Sequence, residues 1–496
     1  MEYQTLAAVD LGSNSFHLAV GRVAGDQIYP LDAIREAVRL GAGLGPDRHL
    51  DADSQARALA ALKLFAERLA GHHPETVRAV GTNTLRVAKN APAFLKAAEK
   101  ALGFPIEVIS GREEARLIYL GVVHSLPLAR HRRLVVDIGG GSTEFIIGTG
   151  LKPALVESLY MGCVSWSRRF FPDGKVDRPS MRDAELAARE KVEPIVAAFR
   201  TQGWDEAVGS SGTVRAIFDI LEASGRAAES IDAPALEWLR DEMIAAGHVG
   251  KLAVPGLRED RLPVLAGGVA ILSAIFIELG LERMTPAKGA LRQGVLWDLL
   301  GRVHHRDIRE VTVDQFVLRY GVSRGQAQRV GSLSLDLFRQ IEPGQAESVE
   351  KAAVLLGWAA KLHEIGISIA QGGYHKHSAY VLANAEMPGF SRQDQGWLSN
   401  LVLAQRGRLP KMKAAFADDP LLARAAACLR LAVIFHRSRR TAKLPPLRLE
   451  ARARSGYRLS VPRNWLAAHS LVAVALESES HEWAVLDVDF GVTITD

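Results

Sequence analysis

A strand, a glycine turn and a second strand occur twice in this chain, as TLAAVDLGSNSFHLAV from residue 5 and RRLVVDIGGGSTEFII from residue 132. In both, an aspartate ends the first apolar run (Asp10, Asp137). Glycine follows (Gly12; Gly139, Gly140 and Gly141), then side chains able to donate hydrogen bonds (Ser13, Asn14 and Ser15; Ser142 and Thr143). Glycine lets the backbone turn sharply and bring its N–H groups close to a ligand. A concave row of amides attracts an anion, whereas carboxylates such as Asp137 and Glu144 repel one unless a cation lies between them. A simple hairpin needs neither paired acids nor a repeated Gly-Ser. Used twice, the unit implies two similar halves with both turns at one cleft, and the chemistry of a metal–phosphate site.

The surroundings are α/β. SQARALAALKLFAERLA, PAFLKAAEKAL and REEARLIYLGVVHSL carry apolar residues at helical spacing, and strand-like runs such as TVRAVG and IEVIS separate them. A third turn, Gly209-Ser210-Ser211-Gly212-Thr213, precedes the helical VRAIFDIL, and a further glycine pair occurs in LPVLAGGVAILSAIF. From about Val303 the pattern is helical, and beyond Pro445 and Pro446 a period of two predicts a small strand-rich module, including LVAVALESESHEWAVLDVDFGVTI. The expected domains are residues 1–120, 121–302, 303–443 and 444–496, in keeping with a length of 496 residues. The two cysteines are too few for a disulfide framework, no apolar run reaches a membrane span, and the N-terminus lacks signal-peptide character, so a cytoplasmic protein is expected. A net charge of +5 permits an anionic partner without naming it.

The turns assign roles. Backbone N–H groups of residues 12–15 and 139–143 would cradle phosphoryl oxygens, with Ser13, Asn14, Ser142 and Thr143 adding side-chain donors. Asp137 and Glu144, with Asp10 acting through water, would hold Mg²⁺. Glu114, in SGREEAR, is the candidate base that positions and deprotonates water, and Arg86, in GTNTLR, the candidate that neutralises charge on a transferred phosphoryl group.

DLGSNSFH, GTNTLR, SGREEARLIYLGV, DIGGGSTE, GSSGT, GALRQGVLWDLL and LHEIG followed by YHKHSAY together resemble the exopolyphosphatase and guanosine pentaphosphate phosphatase family, over essentially the whole chain. The resemblance implies two ribonuclease-H-like domains of the actin, sugar-kinase and Hsp70 kind. An all-α domain related to the HD phosphohydrolases and a small α+β C-terminal domain would follow. It maps the catalytic glutamate to Glu114 rather than Glu113, metal-associated acids to Asp137 and Glu144, and phosphate contacts to Arg86 and the Gly-Ser turns. It implies hydrolysis of the terminal phosphoanhydride of inorganic polyphosphate, or of guanosine pentaphosphate, by a Mg²⁺-dependent homodimer. A monovalent cation and peripheral membrane association are allowed by it. A non-catalytic polyphosphate-binding regulator and a sugar kinase are the rival readings.

Two departures stand out. His363-Glu364 occupies the place of the HD pair and Val433 that of a later aspartate, so no metal is expected there. Gln293 replaces a glutamate common in the family. His375, Lys376 and His377, together with Arg406 and Arg408 of a basic stretch that runs from Arg406 to Arg440, are candidates for a groove that holds a phosphate chain. The sequence has no zinc-finger spacing or aromatic interleaving of the kind that nucleic-acid binders use.

Overall fold

The computed structural model describes residues 5–127, 131–303, 307–440, 444–452 and 456–495. The chain divides into two compact units at Asp307/Ile308. The first begins with β1 (Thr5–Leu11), β2 (Phe16–Ala24) and β3 (Gln27–Glu36), followed by α1 (Ala52–Leu69), β4 (Val77–Gly81), α2 (Asn83–Val87), α3 (Ala91–Leu102), β5 (Ile106–Val108) and α4 (Gly111–Ser125). It repeats the plan with β6 (Arg132–Ile138), β7 (Thr143–Thr149) and β8 (Lys152–Leu159), then α5 (Cys163–Phe170), α6 (Arg178–Gln202), β9 (Glu206–Ser210) and α7 (Ser211–Ala223). The short β10 (Ile231–Asp232), α8 (Ala233–Ala246), α9 (Leu262–Leu279), β11 (Arg283–Pro286) and α10 (Leu291–Val303) complete it.

The duplicated motif is a duplicated topology. One sheet runs β3-β2-β1-β4-β5 and the other β10-β11-β9-β6-β7-β8, so each has an antiparallel triple whose innermost strand (β1 or β6) pairs in parallel with the next strand of its half (β4 or β9). Register repeats as well: Asp10 lies opposite His17, and Asp137 opposite Glu144. Asp10 neighbours Val80 on the parallel side and Asp137 neighbours Ser210.

One core joins the two sheets. Leu6, Ala8 and Val80 from the first and Val135, Ile146 and Val208 from the second pack with Ile118 and Val122 of α4 and with Val295 and Leu299 of α10. The two helices touch backbone to backbone, since a Cβ at Gly294 would lie 1.7 Å from Leu117 O and one at Gly121 2.2 Å from Ala290 O. Beside this contact lies a buried ion cluster. Arg78 bonds Asp298 (2.8 Å) and Glu107 (3.0 Å), Arg116 bonds Glu113 (2.7 Å) and Asp298 (2.5 Å), and Arg302 bonds Asp298 (3.0 Å). Three guanidinium groups against three carboxylates leave no net charge, so that mutual attraction and hydrogen bonding offset the desolvation each buried ion costs.

The second unit contains α11 (Ile308–Arg319), α12 (Arg324–Ile341), α13 (Glu347–Leu362), α14 (Tyr374–Asn384), α15 (Arg392–Ala404), α16 (Lys413–Asp418) and α17 (Pro420–Phe435). Then come β12 (Arg448–Arg452), β13 (Gly456–Pro462), α18 (Arg463–Ala468), α19 (Ser470–Ala484) and β14 (Asp489–Thr495), with sheet order β12-β13-β14. Leu449, Leu459, Trp483 and Phe490 share a core with Leu356, Leu401 and Leu429 of the helices. One local expectation fails. LVAVALESESHEWA is helical, because Leu476, Glu479 and Trp483 recur at three- and four-residue spacing on the buried side. The glycine pair Gly267 and Gly268 lies inside α9, where the absence of a Cβ admits Ser167, Cys163 and Thr213.

Candidate active site

The two glycine turns meet. A Cβ at Gly140 would sit 3.0 Å from Ser13 Cβ and 3.4 Å from Asn14 N, and one at Gly141 2.3 Å from Asn83 Oδ1. Between them opens a cavity of about 480 Å³, lined by Gly12 to Ser15, Gly139 to Ser142 and Ser211 to Thr213, together with Asp10, Asp137 and Glu114. Glu114 stands in the first turn of α4, whose start is fixed by Ser110 accepting a hydrogen bond from Glu113 N (3.1 Å). The adjacent Glu113 faces away into the ion cluster, so the two glutamates of SGREEAR have opposite surroundings.

Not every expected donor is available. Gly139 N bonds Ser142 O (2.9 Å), which closes the turn, and Thr143 Oγ1 donates to Met161 O (2.6 Å). Gly209 packs inside β9 against Val214 and Met284, and Ser210 Oγ donates to Gly289 O (3.0 Å). Ser211 adopts a left-handed φ of 87°, unusual for a residue with a side chain, and its Oγ accepts from Thr213 N and Val214 N (3.1 and 3.2 Å). Arg86 lies behind Glu114 and not in the cavity wall. Its buried Nη1 donates to Glu114 Oε2 (2.6 Å) and Ile109 O (3.2 Å), which aims the carboxylate.

The floor is acidic and largely shielded from solvent. Burial, then the charges of Glu114 and Asp137, raise the Asp10 carboxyl to about 8, against a weaker pull from Arg292. Burial, and then Glu114, lift Asp137 to about 7, partly offset by the neighbouring Ser210 hydroxyl. Glu144, which accepts from Ser158 Oγ (2.8 Å), is held well above the usual range, first by burial and then by Glu114 and Asp137. Asp10 Oδ1 and Glu144 Oε2 are buried without a hydrogen-bond partner. Among the described residues, no three His, Cys, Asp or Glu side chains converge closely enough to chelate a metal unaided. Mg²⁺ characteristically keeps its waters and takes one or two carboxylates plus substrate phosphate oxygens. The crowded floor, with its unpartnered oxygens, fits an ion held in that way.

The other wall is basic, and this the sequence did not disclose. Arg35, Arg215, Arg258, Arg261, Lys288 and Arg292 line the cavity. Asp260 pairs with Arg35 (2.9 Å), Arg258 (3.2 Å) and, at longer range, Arg261 (3.8 Å), while the Nε atoms of Arg35 and Arg261 are buried without a hydrogen bond. His17 is kept neutral, lowered to about 3 by burial and by Arg292, Arg35 and Arg261, and its Nδ1 lies 3.2 Å from Arg292 Nη1. Asn83 also lines the cavity, with a buried and unpartnered Nδ2. Of these only His17, Asn83 and Arg292 fall inside motifs that the sequence singles out. The arginines of residues 258–261 come from a short loop with no distinguishing pattern.

Residues 19–303 match the model of the Ppx/GppA phosphatase family, and residues 308–480 match that of Ppx/GppA phosphatase domain III. The chain belongs to the Ppx/GppA phosphatase family. It is accordingly an enzyme, a phosphoanhydride hydrolase. An exopolyphosphatase from Cytophaga hutchinsonii is 27% identical, with a TM-score of 0.55 over 60% of this chain and 98% of that one. The Aquifex aeolicus PPX-GPPA enzyme, 23% identical over 59% and 99% of the two chains, has the same fold with a TM-score of 0.51.

The second unit of this Ppx/GppA protein places the remaining candidates. His375 sits on α14 beside Gly407, and Lys411, Arg406 and Lys376 add to burial in lowering it to about 4. Arg406 lies over the Tyr374 ring (5.5 Å), whereas Arg408 and Lys376 are exposed and His377 half-buried. Three members of the basic stretch are already engaged: Arg430 with Glu479, Arg439 with Glu364 and Arg424 with Glu342. His363 is buried, its Nδ1 2.7 Å from Ala360 O. In the first unit, Gln293 Oε1 accepts from Ala290 N (3.1 Å) at the start of α10.

Proposed function

We propose that this enzyme is an exopolyphosphatase, releasing orthophosphate one residue at a time from the end of inorganic polyphosphate. The observation that carries the reading is the polarity of one cavity: Glu114, Asp10 and Asp137 on one side, and a wall of arginines on the other, two of which, Arg35 and Arg261, have Nε atoms without a hydrogen bond. A linear phosphate chain has the matching form, a reacting end and a run of negative charge behind it.

Glu114 serves as the general base. With Oε2 fixed by Arg86, it orients a water molecule and takes its proton as the water oxygen attacks the terminal phosphorus. The bond from that phosphorus to the bridging oxygen breaks, and the shortened chain departs on the bridging oxygen. Asp10 and Asp137 would hold Mg²⁺, with Glu144 behind them; when bound, the ion neutralises the floor and spreading charge on the phosphoryl oxygens. Ser13, Asn14, Gly140, Gly141 and Asn83 surround the terminal group, and Arg35, Arg261 and Arg292 grip the next phosphates. The basic cluster on the second unit, His375, Lys376 and Arg406 with the exposed Arg408, is proposed as a further contact for a long chain.

The test is phosphate release from long polyphosphate and from guanosine pentaphosphate, side by side, with and without Mg²⁺. Polyphosphate should turn over only with the ion, and Glu114→Gln should lower kcat at least about a thousandfold while leaving polyphosphate bound. Turnover confined to guanosine pentaphosphate rejects the substrate assignment, and substantial activity in Glu114→Gln rejects the base.

A further inference from the structure

The two phosphate turns belong to different halves of the duplicated unit, yet both must touch one phosphoryl group. Each is supported from behind by a different element. The first turn rests on the short helical loop Leu40–Gly43, where Arg39 N bonds Asn14 O and Gly41 N bonds Ser13 O, each at 2.7 Å. The second rests on α5, where Cys163 N bonds Gly139 O (2.9 Å) and Val164 N bonds Gly140 O (3.0 Å). One side chain connects these supports. Arg168 of α5 reaches across to the loop, and its Nη1 donates to both Gly41 O (3.0 Å) and Leu44 O (3.2 Å).

The loop requires such support. Arg39 and Arg48 hold left-handed φ angles of 53° and 65°, which non-glycine residues keep only where their surroundings enforce them. Outside it lies an open hollow of about 390 Å³ bounded by Gly43, Asp47, Asp51 and Arg168, so little else packs on that side. Asp51, whose carboxyl is lowered by hydrogen bonds from Ser54 and further by Arg57 and Arg168, offers the guanidinium an anionic neighbour.

Resting on the reading of the cleft as a phosphoryl-transfer site, we propose that Arg168 is a positioning residue, which fixes the distance between the two phosphate turns by joining their supports. It touches no substrate. Its effect falls on the geometry that both turns impose on the terminal phosphoryl group, where a small misplacement lowers the rate of chemistry more than it weakens binding.

The experiment compares parent, Arg168→Ala and Arg168→Lys by steady-state release of phosphate from polyphosphate, and by amide hydrogen exchange. Arg168→Ala should lower kcat about tenfold with KM changed less than about threefold, and Arg168→Lys should recover most of the loss. Exchange should quicken in Arg168→Ala at residues 39–44 and at 163–165 together. Unchanged kcat, or faster exchange confined to residues 39–44, would overturn the proposal. Should the parent release no phosphate, the functional reading fails, while the exchange pattern still decides whether Arg168 couples the two halves.

Discussion

Asp137 should destabilise the protein that depends on it. In an ordinary setting its carboxyl loses a proton near 3.8, but in the buried floor it keeps it until about pH 7. Roughly three pH units at about 1.4 kcal/mol each amount to about 4 kcal/mol of unfavourable free energy once the group ionises in the folded state. The direction follows from proton counting. Between these two values the native state binds more protons than the unfolded chain, so stability falls as pH rises and levels off above about 7. Asp137→Asn removes the charge, and Asn keeps similar size with the ability to bond Ser210. In the presence of a chelator, the variant should unfold at higher temperature than the parent at pH 8, with an upper bound of about 4 kcal/mol, or roughly 8 °C for a unit this large. The gap should close by pH 4. Scanning calorimetry at half-unit pH intervals measures it, and added Mg²⁺ should raise the parent's transition at pH 8 more than the variant's. An Asn variant less stable than the parent at pH 8, or a gap that does not vary with pH, would refute the argument that burial strains this acid.

Two further outcomes follow from the same geometry. Asp298→Ala leaves Arg78, Arg116 and Arg302 without their shared partner, and should destabilise the first unit by about 3–5 kcal/mol, read as the loss in denaturation midpoint. Arg261→Ala removes a buried cation from the wall and should raise KM for polyphosphate several-fold with a smaller change in kcat; an unchanged KM would place the chain elsewhere.

The duplicated hairpins were legible because glycine, acid and hydroxyl recur in a fixed order, and local chemistry of that kind survives in the sequence. Glu114 was separable from Glu113 only through family resemblance, since both occupy the first turn of one helix; the structure supplies the reason in the ion cluster that claims Glu113. Arg86 was expected against phosphate and stands behind the base, because which way a long side chain points is decided by distant partners such as Ile109 O. The arginine wall is assembled from β3, α7, the loop before α9 and the start of α10, so no window of sequence contains it. LVAVALESESHEWA alternates like a strand over its first half, but packing of Leu476 and Trp483 into a helical core outweighs that local pattern.

The register of the two hairpins carries a last consequence. Where one half sets an imidazole across from its aspartate, the other sets a carboxyl. A perfectly mirrored pair would present the same potential from both sides and leave an elongated anion free to lie in either sense. Divergence at His17 and Glu144 makes the two hairpins electrically unequal, and on the proposed reading a molecule with two equivalent ends would be taken in by one of them at a time.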